Sequence, residues 1–299
     1  MSVYSVIVTF NPVIANVESL LRQLTEQVNG VVVVDNGSVN EVDLAACVAK
    51  FERVELMKLA CNHGIAAAQN FGIRSAAASG AEYIVFFDQD SSIESGFVDE
   101  LTLAFQATPP AKKVACVAPV FVDSRYGFYY PLIEVNKYGF RRKIEPSNKK
   151  ELFNVSLVIS SGSCISVDAL KDIGGMNEDF FIDYVDTEWC LRAISNGYSI
   201  VIAPKAKMEH AIGDSSIKIL FWRVPVHSAF RRYYRVRNSF YLLKLPHVPK
   251  VLALQEIFSS FVYQAILIFS TRSFSLYFRS WIVGVLDGIL NRPKLTWKL

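Results

Sequence analysis

Four short apolar runs alternating with helical stretches across residues 3–87 limit what this chain can fold into. Val3 to Phe10 is rich in β-branched residues and is closed by Asn11-Pro12, where proline forbids a continuing central strand. Ile14 to Val28 then carries apolar residues at helical spacing through Val17, Leu20, Leu21, Leu24 and Val28. Val31 to Val34 has the uniform composition of a strand buried on both faces. The spacing predicts a helix over 42–51, a strand over 53–59, an Ala-rich helix from Ile65 to Ala78 and a strand from Glu82 to Phe87. This alternation predicts an α/β fold, a mostly parallel sheet with helices on both faces.

Three of these runs end in polar side chains: Thr9 to Asn11, Asp35-Asn36-Gly37-Ser38, and Asp88-Gln89-Asp90. Acids are rarely buried without a partner or a metal, and ligands of a parallel sheet bind beyond the carboxyl ends of its strands. A hard divalent cation holding phosphate oxygens suits two carboxylates at that place. Solvated turn residues are the plain alternative. No G-x-G-x-x-G follows the first strand, and no G-x-x-x-x-G-K-[ST] occurs, which excludes the common dinucleotide and P-loop devices. A nucleotide site made of side chains and a metal remains. There Asp35 can accept from a base N–H, and Asn62, Gly64 and Asn70 can line a ribose.

Thr9-Phe10-Asn11-Pro12, Val33 to Ser38, Asn62-His63-Gly64-Ile65-Ala66 and Phe87-Asp88-Gln89-Asp90 occur in that order. Together they resemble family 2 of the glycosyltransferases, with the GT-A fold for nucleotide sugars. The D-Q-D form resembles its rhamnosyltransferase branch. The resemblance implies an inverting transferase with Mg²⁺ or Mn²⁺ as cofactor and dTDP-L-rhamnose as the expected donor. It implies Asp90 and His210 as metal ligands, Asp88 at the ribose or a metal-bound water, and Thr9 and Asn11 beside the nucleotide sugar. Gly162 and Ser163, in the turn after the strand-like run Leu152 to Ile159, carry over as neighbours of the sugars.

Inversion needs a carboxylate to take the proton of the incoming hydroxyl from the side opposite the departing phosphate. Asp186 stands where a helical pattern begins, so it is a candidate for that base and also for a helix N-cap. The resemblance places the family's catalytic aspartate on Asp186, with Asp183 and Glu188 as nearby alternatives. Many relatives carry Glu-Asp where this chain has Val185-Asp186.

The rest of the chain has less pattern. Leu101 to Gln106 closes a helix that Thr108-Pro109-Pro110-Ala111 breaks, and Val114 to Val122 and Ser199 to Ala203 have strand character. Residues 123–151 lack periodicity and are expected to form a flap on the acceptor side. We expect a catalytic domain over 1–215, its nucleotide half about 1–120 and its acceptor half about 121–215, and a helical appendage over 216–299.

The appendage is aromatic, aliphatic and basic. Arg231, Arg232 and Arg235 interleave with Tyr233 and Tyr234 and offer a patch for a diphosphate or an acceptor. Ile257 to Ser270 has no formal charge, yet its 14 residues fall short of a bilayer span. With Arg272, Arg279, Trp281, Lys294, Trp297 and Lys298 around it, an interfacial position on an anionic membrane is expected, with a homo-oligomer contact as the alternative. The net charge of +3 argues against a nucleic-acid partner. Five scattered cysteines without a C-x-x-C pair suit a reducing compartment, and no signal-peptide pattern opens the chain. The expectation is therefore a cytoplasmic enzyme, peripheral on the bacterial inner membrane and acting on a lipid-linked or cell-surface glycan. A different nucleotide sugar as donor, a nucleotidyltransferase, and a catalytically silent sugar-nucleotide-binding protein are the alternatives. The nucleotidyltransferase is disfavoured because no Gly-rich basic loop follows the first strand.

Overall fold

A computed structural model describes residues 1–109, 112–123, 127–209, 216–219, 222–225, 227–270 and 274–292. The strands are β1 (Val3–Thr9), β2 (Gly30–Asp35), β3 (Val54–Lys58), β4 (Tyr83–Asp88), β5 (Val114–Asp123), β6 (Phe128–Tyr129), β7 (Leu132–Val135), β8 (Arg141–Ile144), β9 (Phe153–Val155), β10 (Cys164–Ser166) and β11 (Ser199–Glu209). The short strands Ser216–Ile219 and Trp222–Pro225 form a separate hairpin. The helices are α1 (Ile14–Thr25), α2 (Glu41–Val48), α3 (Ile65–Ala78), α4 (Phe97–Ala107), α5 (Val167–Ile173), α6 (Val185–Ser195), α7 (Ala229–Lys244), α8 (Lys250–Ser270) and α9 (Phe274–Leu290).

The main sheet runs β3-β2-β1-β4-β10-β5-β11-β9, with β6 paired to β5. Strands β1 to β4 are mutually parallel, as are β5 and β11, whereas β10 is antiparallel to both β4 and β5. Side chains alternate across the strands, so Val6, Val8, Val32, Val34, Ile84 and Phe86 fill one core with α3 and α6. Ile7, Val31, Val33, Val85 and Phe87 fill the other with α1, α2 and α4. That two-period division is why the strands read as continuous apolar runs.

Three elements differ from the sequence expectation. The run 152–159 is a strand only over β9, and β10, only three residues long, has no pattern of its own to reveal it. The segment 123–151 contains an antiparallel hairpin, β7–β8. Strand β11 continues to Glu209 through an irregularity between Ile202 and Lys207, which accommodates Pro204.

Candidate active site

Register brings the polar strand tips together. Thr9 pairs with Asp35, and Val8 pairs with Asp88, so the ends of β2, β1 and β4 lie side by side on one edge. Thr9 and Asp35 are wholly buried. The Asp35 carboxylate accepts from the Thr9 hydroxyl at 3.2 Å, from the Ser38 backbone N–H at 3.3 Å and from the Ser38 hydroxyl. Asp35 thus braces the turn that follows β2. Asn11 is exposed with a positive φ of 49°, and its amide oxygen accepts from the Val39 N–H at 2.9 Å. Asn36 joins this turn to the next: it donates to Asn62 at 3.0 Å and accepts from the His63 N–H at 2.9 Å. Asn62 also accepts from the Gly64 N–H at 2.9 Å.

Gly64 sits at φ 88° and ψ 162°, a region essentially confined to glycine. A Cβ there would lie 2.6 Å from the Phe181 carbonyl oxygen. Its role in the structure is to let α3 start directly against the loop that carries Asp186. Asn70 serves the same junction. Its amide donates to the Met176 carbonyl and to Glu178, both at 2.9 Å, and accepts from the Met176 N–H at 2.8 Å. These bonds use both N–H donors of the amide, so Asn70 tethers the 174–180 loop.

Asp88 and Asp90 are exposed at the tip of β4. Gln89 between them accepts from the Phe10 N–H at 2.8 Å and ties this tip to the end of β1. The Asp88 N–H donates to Ser161 Oγ at 3.2 Å. The Gly162 N–H donates to the Phe86 carbonyl at 2.7 Å, while the Phe86 N–H donates to the Ser163 carbonyl at 3.1 Å. Gly162, at φ 76°, lies so close to Met208 and Pro119 that a Cβ would come within 2.7 Å of the sulfur. Ser163 is buried and donates to the Ile159 carbonyl at 2.5 Å. The turn 160–163 is therefore welded to the acidic tip.

Asp186 is the second residue of α6 and is half-buried. Tyr184, two residues earlier and in a left-handed conformation, occupies the N-cap position, so capping does not explain Asp186. Burial pushes its carboxyl from 3.8 to about 6, and the negative charge of Asp88 adds to the rise. Hydrogen bonds from the Ser160 N–H and hydroxyl oppose it. The Ser160 hydroxyl in turn accepts from Gln69 at 3.0 Å. A carboxyl held near neutrality within the field of Asp88 is a group placed to take up a proton.

The two other acids of this segment are committed elsewhere. Burial alone would raise the Asp183 carboxyl, but Arg235 and Arg231 hold it below its usual value. Arg231 bonds both of its oxygens at 3.1 and 3.2 Å, and Arg235 one of them at 3.4 Å. Glu188 is buried between Arg192 and His247, each at 2.9 Å. Arg231 and Arg235, read from sequence as an anion patch, thus face the Asp183 carboxylate. Arg232 is a correction. It is 1% exposed, bonds Gln264 at 2.9 Å and the Ser260 carbonyl at 3.1 Å, and cannot reach a diphosphate or an acceptor.

Sequence reasoning missed the residues that hold the Asp186 loop. Phe181, Asp183 and Tyr184 all have positive φ, 61°, 64° and 64°, a strain that persists only under surrounding restraint. Asn238 on α7 supplies it, donating to the carbonyls of Phe180, Ile182 and Asp183 at 2.7, 2.8 and 3.1 Å. The Tyr184 hydroxyl donates to Glu256 on α8 at 2.8 Å, and Arg141 of β8 pairs with the same carboxylate. Nothing in the local pattern of α7 or α8 marks these partners.

His210 lies outside the described residues. Among the described residues no three His, Cys, Asp or Glu side chains converge into a complete metal cage. The exposed pair Asp88 and Asp90 matches the usual partial donor set for Mg²⁺ or Mn²⁺, in which carboxylates share the ion with substrate phosphates and water.

A mostly parallel sheet with an acidic carboxyl edge, flanked by helices and joined through the short antiparallel strand β10 to β5 and β11, is the architecture of the GT-A class of sugar-nucleotide enzymes. The chain belongs to glycosyl transferase family 2, whose model matches residues 5–174, and it is a glycosyltransferase. It is 43% identical over 288 residues to the dTDP-rhamnosyl transferase RfbF of Shigella flexneri, covering 96% of this chain and 95% of that protein. Solved structures share the fold. S. aureus TarS residues 1–349 in complex with UDP aligns with a TM-score of 0.59 at 17% identity, over 98% of this chain and 81% of that one. GalNAc-T7 with UDP, GalNAc and Mn²⁺ aligns with a TM-score of 0.58 at 11% identity, over 92% of this chain and 58% of that one.

Proposed function

We propose that this enzyme is an inverting, divalent-metal-dependent rhamnosyltransferase that moves L-rhamnose from dTDP-L-rhamnose onto a lipid-linked or cell-surface saccharide at the cytoplasmic face of a membrane. The donor is supported by the 43%-identical relative, itself named a dTDP-rhamnosyl transferase. A metal is supported by the acidic tip and by the Mn²⁺ that accompanies UDP in the GalNAc-T7 structure. The single observation carrying the chemistry is Asp186, its carboxyl raised to about 6 by burial and by Asp88.

In this reading residues 1–215 hold the reactants. The turns around Thr9, Asn11, Asp35 and Asn62 form the wall against which the nucleotide lies. Asp90, with His210, would hold the cation, which when bound neutralises charge gathering on the diphosphate, and Asp88 would meet the ribose or a metal-bound water. Asp186 accepts the proton of the acceptor hydroxyl as that oxygen bonds to the anomeric carbon. The bond from that carbon to the phosphate oxygen breaks with its electron pair leaving on dTDP, and configuration inverts. Ser160 steadies the carboxylate before the proton arrives. Gly162 and Ser163 keep the adjoining turn close to the acidic tip.

The test is a thermal-shift panel of nucleotide sugars with and without Mg²⁺ or Mn²⁺. The expected result is the largest stabilisation by dTDP-L-rhamnose, dependent on metal. A larger shift with a UDP-hexose or UDP-N-acetylhexosamine overturns the donor. Metal-dependent donor binding with no transfer to any saccharide acceptor favours a silent binding protein.

A further inference from the structure

The helices α8 and α9 are built inside out. On α8, Glu256, Ser260 and Gln264, one turn apart, are buried at 6%, 3% and 0% exposure. Leu254, Phe258 and Val262 face outward, Phe258 at 70% exposure. On α9 the inward positions are Ser280, Gly284, Asp287 and Gly288, and the outward ones include Phe278, Ile282 and Leu286. Apolar residues do point inward at the ends of α8, where Leu252 and Ala253 join the main core and Leu267 and Ile268 form a small cluster with Tyr277.

The interior is held together by polar bonds and close backbone approach. Arg232 donates to Gln264 at 2.9 Å, Gln264 donates to the Tyr277 carbonyl at 2.6 Å, and Tyr233 donates to Asp287 at 2.8 Å. A Cβ on Gly284 would meet the Tyr233 carbonyl oxygen at 2.9 Å, and one on Gly288 the Arg237 carbonyl oxygen at 3.0 Å. Small residues at the seam, polar side chains bonding across it and apolar side chains outside are how helices associate where the surroundings are themselves apolar. In water the opposite arrangement is favoured.

Charge distribution selects the apolar medium. The acids of the two helices, Glu256 and Asp287, are both buried, whereas Lys250 and Arg279 are exposed. The outward face therefore has no exposed acid and suits an anionic lipid surface. Among the described residues α8 is the one helix long and apolar enough to cross a bilayer. Its Glu256 is held by Tyr184 and Arg141 of the globular part, which fixes the helix against the protein rather than across a membrane.

We propose that the outward face of α8 and α9 lies in the plane of an anionic bilayer and is buried among its acyl chains. The proposal deepens the membrane placement given above by naming the surface and its orientation. Because Tyr184, two residues before Asp186, bonds Glu256 on the inner side of α8, the loop that carries the candidate base is tied directly to the helix whose outer face meets the lipid. A lipid-linked acceptor would then present its first sugars at the depth of the reaction.

The experiment is vesicle flotation of the full chain, which needs neither donor nor acceptor. The probes are vesicles of phosphatidylcholine alone and of phosphatidylcholine with phosphatidylglycerol. Wild type is expected to float with the anionic vesicles and to bind the neutral ones less. Phe258→Asp with Ile282→Asp is expected to weaken partition by roughly a hundredfold or more, the value of withdrawing two large apolar side chains from an apolar phase. Lys250→Gln with Arg279→Gln should reduce only the preference for anionic lipid. Failure of wild type to float with either vesicle overturns the proposal, whatever the variants do. A stable dimer in solution that the Asp variants dissociate, without flotation of wild type, assigns the face to a second copy instead. Metal-dependent nucleotide binding that persists in protein that does not float leaves the transferase reading standing while this one fails.

Discussion

Ser160 presents both its backbone N–H and its hydroxyl to the carboxylate of Asp186, working against the burial that raises this acid to about 6. A base must be ionised to accept a proton, so transfer is expected to fall as pH drops through about 6. Removing the Ser160 hydroxyl takes away a bond to the charged form, and Ser160→Ala is expected to move that acidic limb to higher pH. A pH profile of kcat/KM for both proteins checks the direction of movement. A limb that moves to lower pH, or stays still, contradicts the assignment.

Asp186→Asn separates chemistry from stability. Transfer is expected to drop by roughly 10²-fold or more, with nucleotide-sugar binding retained. The folded-state pKa is raised, so the native protein binds the proton more tightly than the unfolded chain. Its ionisation therefore costs stability increasingly as pH rises from the unfolded value of 3.8 through about 6. Asn carries no such charge, and the variant should be more stable at neutral pH by on the order of 2 kcal/mol, with the advantage vanishing in acid. Denaturant titrations at neutral and acid pH measure this difference.

Asp90→Ala is expected to abolish the metal-dependent part of donor binding while leaving the fold intact, because the residue is exposed at a strand tip. Calorimetric titration of the nucleotide sugar with Mg²⁺, with Mn²⁺ and with a chelator resolves the two parts. Equal affinity in all three conditions for wild type would remove the cation from the mechanism.

Asn238→Ala leaves the carbonyls of Phe180, Ile182 and Asp183 without their shared donor. The expected loss of stability is about 2 kcal/mol. Transfer should fall further than donor affinity, since the loop delivers Asp186 and not the nucleotide turns. Gly64→Ala attacks the same loop from α3, where the Cβ meets the Phe181 carbonyl at 2.6 Å. A cost of about 1–3 kcal/mol is expected from its glycine-only conformation, and a melting curve is enough to read it.

The strand tips were legible because an apolar run that stops at a carboxylate carries its own signal, and parallel register then places Thr9, Asp35 and Asp88 on one edge. Asp186 was legible as a candidate through its place before a helical pattern, and the resemblance favoured it over Asp183 and Glu188. What separates them in the structure is ion pairing with arginines and a histidine, and sequence spacing does not record it. The arginine patch misled in part, since residue type favours anions but does not show that Arg232 turns inward to Gln264. The clamp on the base loop was illegible for a different reason. Tyr184 and Glu256 are 72 positions apart, and neither residue type stands out in the sequence around it.

The crossing of β10 between β4 and β5 has an evolutionary consequence. The Phe86 backbone bonds Gly162 and Ser163, so β4 and the turn that leads into β10 form one continuous ladder. A chimaera that joined the front of this enzyme to the back of a relative would cut through that ladder and misalign the acidic tip with Asp186.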